Sequence, residues 1–160
     1  MSCDVAMAAY LFLASTGPAG APPAHTVILT AASPASVASE PLFADIVRRA
    51  TSLKAEVERY RQASPLTSAS ALALPGFPGF QANIAELSKL DMQGHVELAK
   101  TGQDGDLKCI LKGISEDLPV KLKALTDAST GAAQDSALRD MAYLLNDNVE
   151  VITSPPEPPA

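Results

Sequence analysis

PLFADIVRRATSLKAEVERYRQ, residues 41–62, places Phe43, Ile46, Ala50, Leu53, Val57 and Tyr60 at alternating steps of three and four. At 3.6 residues per turn this spacing puts all six on one stripe, with Arg48, Arg49, Lys54, Glu58 and Arg59 off it, so the segment reads as an amphipathic helix. Ser39 or Glu40 can cap its first free N–H groups, Pro41 suits a first turn that needs no donor, and Ser64-Pro65 ends the run. One such stripe is stable only against others, and three more follow.

A second helix is expected over Gln81–Thr101, with Ile84, Leu87, Leu90 or Asp91, Met92, Val96 and Ala99 inward. Gly94 weakens its middle by about 1 kcal/mol relative to Ala, which suggests a kink near residues 91–94. Lys100 and Gly102 make a C-terminal stop. A third helix, capped by Asp104 or Asp106, carries Leu107, Ile110, Leu111, Ile114, Leu118, Leu122 and Leu125, and Pro119 is expected to kink or split it. A fourth, over Ala132–Val149, carries Ala137, Leu138, Met141, Leu144, Leu145 and Val149. The expected fold is an all-α four-helix bundle over residues 39–152.

Composition agrees. The chain of 160 residues is 47% apolar but only 4% aromatic and has no Trp, so its interior is aliphatic. No Lys or Arg precedes Arg48, which leaves residues 1–38 as a low-charge leader rich in Ala, Ser, Pro and Thr. Val5–Ala14 is too short for a helical span of a bilayer but has the length of a signal-peptide apolar core. Ala19-Gly20-Ala21 resembles a cleavage site, which would make residues 1–21 a weak signal peptide, yet Asp4 stands where such signals carry Lys or Arg. The cytoplasm is therefore the favoured compartment and secretion the alternative. His25–Thr30 could form one short strand, and residues 153–160 form a proline-rich tail of polyproline II type.

A net charge of −6 gives no field to release counterions from a phosphate backbone, so nucleic acid is not an expected partner. The basic cluster of residues 48–61 shares its helix with Asp45, Glu56 and Glu58 and reads as a solvated face. Cys3, His25, His95 and Cys109 are the only soft ligands and none lie at chelating spacing, so neither a metal nor a cofactor is expected; with two cysteines no disulfide framework is argued. Asp104-Gly105-Asp106 lacks the Gly and Glu that a calcium loop needs further on. No nucleophile elbow, phosphate-binding glycine loop or paired catalytic carboxylate is present, and enzymatic activity is not expected.

What remains is binding. Residues 64–80 read as a long Pro/Gly connection whose Leu72, Leu74, Phe77 and Phe80 would be apolar anchors for a protein partner. Cys109-Ile110-Leu111-Lys112-Gly113-Ile114-Ser115 resembles the His-x-x-Lys-Gly-x-Ser signature of histidine phosphotransfer domains over seven residues, with Cys109 in place of the phosphorylated His. That resemblance implies a four-helix bundle and an inactive module that docks a signalling protein around Cys109 and Lys112. The expected function is thus a non-enzymatic helical module engaging a protein partner. The alternatives are an exported bundle holding a small apolar ligand and a degenerate phosphotransfer-like docking module.

Overall fold

The computed structural model describes residues 37–63, 73–102 and 105–154. The possible signal peptide at 1–21, the strand expected at His25–Thr30, Leu72 and tail residues 155–160 lie outside the described residues. A 3-10 turn over Val37–Ser39 leads into α1 (Pro41–Ala63), followed by α2 (Phe77–Thr101), α3 (Gly105–Asp127) and α4 (Gly131–Thr153). Each helix has 23 to 25 residues, about 35 Å of rise, so all four can run the full length of one core.

The helices form a four-helix bundle in which consecutive helices are neighbours and α4 returns to pack on α1. Cross-helix contacts fix an antiparallel register. Ser88 meets Ser115 and His95 meets Lys108 between α2 and α3, while Lys54 meets Asn146 and Arg61 meets Asp135 between α1 and α4. α2 and α4 therefore stand on opposite corners. All six stripe residues of α1 are buried, as are Leu107, Leu111, Ile114, Leu118 and Leu125 of α3 and Ala137, Leu138, Met141 and Leu145 of α4.

Three expectations need correction. The first concerns the start of α2, which begins at Phe77, four residues before Gln81. Gly76, in the left-handed region at φ 74°, redirects the chain, and Pro78 occupies the first turn, where a missing donor costs nothing. The residues that read as loop punctuation are a helix start, and Phe77, Phe80 and Leu74 are core residues, not exposed anchors.

The second concerns the inward stripe of α2, which runs Phe77, Phe80, Ile84, Leu87, Asp91, Gly94, Leu98. Val96, expected inward, is exposed. Gly94 is there for space: a Cβ would stand 3.1 Å from Leu111 Cδ1 and 3.2 Å from Phe43 Cε1, so the small residue lets three helices approach closely.

The third narrows the reading of Pro119: α3 runs through it as one helix, so the split falls away. Proline removes the N–H that would serve the carbonyl four residues back, that of Ser115, and its ring crowds that oxygen. Ser88 of α2 supplies the missing donor: its hydroxyl donates to the Ser115 carbonyl at 2.7 Å. Ser88→Ala is expected to destabilise the fold by about 1–2 kcal/mol by stranding that carbonyl. In a Pro119→Ala background, where an intrahelical N–H returns, the same change should cost less than about 0.5 kcal/mol. Urea denaturation of the four proteins decides it, and an equal cost of Ser88→Ala in both backgrounds would defeat this account.

Helix ends follow the usual chemistry. Thr130 caps α4 by accepting from the Ala133 N–H at 3.2 Å, and Gly102 closes α2 at φ 68°. No helix among the described residues is long and apolar enough to cross a membrane.

Candidate functional site

The polar side of α1 faces the polar side of α4, and between them lies a groove of about 400 Å³ lined by Lys54, Glu58, Arg61, Arg139, Ala142, Tyr143 and Asn146. Its floor is Ala142, buried against the core, and its wall is Tyr143, a residue 71% exposed. Two cross-helix bonds brace the walls: Lys54 Nζ donates to Asn146 Oδ1 at 2.6 Å, and Arg61 Nε donates to Asp135 Oδ1 at 3.2 Å.

The charges here are unequal in their compensation. Arg61 faces two carboxylates, Asp135 and, at 3.4 Å, Glu58. Lys54 and Arg139 are held instead by neutral groups, the Asn146 carboxamide and, at 3.4 Å, the Ser136 hydroxyl, and among the described residues neither forms an ion pair. By contrast Asp45, about two and a half turns before Lys54 on α1, is bracketed by Arg49 and Arg48, whose hydrogen bonds hold its carboxyl below the usual carboxylate range. Of the basic cluster on α1, Arg48, Arg49 and Arg61 are thus neutralised by carboxylates, and the groove keeps Lys54 from α1 and Arg139 from α4 without one, in a chain of net charge −6.

The residues expected from sequence to bind are dispersed. Leu74, Phe77 and Phe80 belong to the core at the end of the bundle where α2 begins; Phe80 meets Tyr60 edge-on at 5.5 Å and stacks on Phe77 at 6.0 Å. The Tyr60 hydroxyl lies 2.7 Å from Glu56 Oε1 and 2.9 Å from the Pro75 carbonyl, so its single proton is donated to one or the other and ties the segment before α2 to α1. Burial, then the Glu56 carboxylate, pushes its phenol well above the ordinary value.

Cys109 and Lys112 sit half-buried on α3 with Gly113, where an added Cβ would meet open space. Lys112 Nζ donates to Glu116 at 2.6 Å. Cys109 is disulfide-bonded, a state that two cysteines in a sequence do not reveal, so its sulfur is not a thiol available to act as nucleophile or metal ligand. His95 is fixed by a 2.7 Å contact between Nδ1 and the Lys108 carbonyl. No group of three or more His, Cys, Asp or Glu suited to a metal occurs among the described residues.

Sequence reasoning offers Asp91 as an inward alternative to Leu90 but does not foresee its partner. Asp91 of α2 and Asn148 of α4 are both fully buried and meet across the diagonal of the core, with Asn148 Nδ2 donating to Asp91 Oδ2 at 2.9 Å. Asp91 Oδ1 and Asn148 Oδ1 have no hydrogen-bond partner among the described residues. Burial raises the Asp91 carboxyl to about 8 against the opposing effect of the Asn148 bond, so near neutral pH it is mostly protonated and uncharged. A carboxylic acid enclosed in this way has no route to a substrate. Its weight falls on stability. The signal was present in the sequence, since Asp91 lies on the unbroken rhythm from Phe77 to Leu98.

No family model, curated protein or solved structure matches the chain.

Proposed function

We propose that the protein is a non-enzymatic docking module that engages a protein partner through the α1–α4 face. The observation that carries this reading is the exposed Tyr143 ring standing over the braced groove floored by Ala142. Small-molecule sites bury most of their ligand, and a groove whose largest aromatic is itself 71% exposed cannot enclose one. Tyrosine and arginine at the edge of a two-helix groove suit a protein surface, where an amphipathic ring contributes area at low entropic cost.

The test is photo-crosslinking from position 143, with a benzophenone amino acid replacing Tyr143 in the full chain and the crosslinked product identified by mass spectrometry. One dominant protein, lost when Arg139→Glu is added, is expected. Products spread over many proteins, or a dominant product indifferent to Arg139→Glu, would remove the docking role from this face.

A further inference from the structure

Resting on that docking reading, we infer that the occupant of the α1–α4 groove is an extended acidic segment of the partner, with two carboxylates about three residues apart and an apolar or proline residue between them. The inference starts from the two cations that neutral groups hold. Lys54 is anchored at Asn146, and Arg139 stands seven residues earlier on α4. Seven residues of helix rise about 10 Å. An extended chain advances about 3.3 Å per residue, so carboxylates at positions i and i+3 of a bound segment span the same distance. Tyr143 lies midway between the cationic points, where its ring can receive a proline or leucine in the manner of grooves that take extended proline-containing peptides.

Charge decides the sign of the partner. At the groove α1 contributes Lys54 and α4 contributes Arg139 without a carboxylate partner among the described residues, and Glu58 there is already engaged by Arg61. A basic segment would have to separate Glu58 from Arg61 and then lie against Lys54 and Arg139. An acidic segment meets cations already fixed in place by Asn146 and Ser136. Duplex nucleic acid would bring many phosphates against a chain of net charge −6 and find two compensating cations. Such exposed pairing is weak and salt-sensitive singly, so recognition depends on the two charges and the ring acting together.

The probe is a short peptide carrying Glu-Leu-Pro-Glu between alanine flanks, titrated into the isotope-labelled full chain and followed by amide shifts, with Gln-Leu-Pro-Gln as its neutral counterpart. The expected result is saturable shifts clustered at residues 54–61 and 139–146, weaker in higher salt and reduced about tenfold or more in affinity by Arg139→Glu. Both Arg139 and Tyr143 are exposed, so Arg139→Glu and Tyr143→Ser should leave the thermal midpoint nearly unchanged while weakening binding. Equal binding of the neutral peptide at these residues would overturn the acidic occupant and leave the docking face standing. No shift at the groove, or shifts that ignore Arg139→Glu, would also overturn it, and the crosslinking from position 143 then judges the docking face separately.

Discussion

Replacing Asp91 by Asn is expected to make the protein progressively more stable than the wild type as pH rises from about 4 to about 8, with little difference below pH 4. In the unfolded chain the Asp91 carboxyl loses its proton near 3.8, whereas in the folded protein it keeps the proton up to about 8. Between those values the folded state binds more protons than the unfolded one, so the free energy of unfolding falls as pH rises. The group's contribution is fully favourable below the lower value and is lost as pH approaches the upper one. A displacement from 3.8 to about 8 corresponds to roughly 5–6 kcal/mol across that window, comparable with the whole stability of many domains of this size. Asparagine keeps the shape, still accepts from Asn148 Nδ2, and never ionises. The measurement is urea denaturation of both proteins at several pH values. Taking the difference between them removes the other carboxylates, which titrate in both, and a difference that stays constant from pH 4 to pH 8 would refute the assignment.

The same pair bears on specificity. Asp91 and Asn148 join the two helices that are not neighbours around the ring, and a hydrogen bond across that diagonal is satisfied in only one register of α2 against α4. An apolar pair would pack at several registers with little penalty, as buried polar residues in coiled coils illustrate by fixing alignment at a cost in stability. The unpartnered Oδ1 atoms and the raised carboxyl are that cost. The Ser88 hydroxyl plays a related part on the α2–α3 side, because its bond to Ser115 falls at the one carbonyl that Pro119 leaves without a donor.

How far the sequence could be read follows from what kind of signal each feature gives. The α1 stripe is legible because apolar residues occupy every inward position, and all six are buried. The α2 stripe is legible only if a carboxylate and a glycine are admitted to the core. Asp is rare inside, so Asp91 stands only as an alternative to Leu90, and Gly94 reads as a helix weakener while Met92 and Val96 read as inward, although the rhythm runs through Asp91 and Gly94. Pro78 and Gly79 suggested a loop because both residues punctuate chains, but proline early in a helix is compatible with the first turn, and the two phenylalanines flanking it need a core to fill. The groove was not legible. It depends on which cations have carboxylate partners after α4 packs on α1, and the pairing of Arg61 with Asp135, with Lys54 left to Asn146, is set by register between helices distant in sequence. The disulfide at Cys109 is a tertiary fact of the same kind.

Phe80→Ala is expected to lower the stability of the fold by about 3–5 kcal/mol and to leave peptide binding at the α1–α4 groove unchanged wherever the protein remains folded. Phe80 is 1% exposed, stacks on Phe77 and receives the Tyr60 ring edge-on, so its removal opens a cavity between α1 and α2 and loses an aromatic contact at once. Tyr60 also holds Pro75 through its hydroxyl, and a ring free to tilt into the cavity would weaken the tie that seats the start of α2. An exposed loop anchor would behave in the opposite way: its truncation would change stability by less than about 0.5 kcal/mol and abolish docking. Urea denaturation together with the peptide titration separates the two outcomes. A stable Phe80→Ala protein that has lost the Glu-Leu-Pro-Glu peptide would return the binding site to the segment before α2, whereas a destabilised one that still binds it when folded keeps recognition on α1 and α4 and leaves Phe80 to the core.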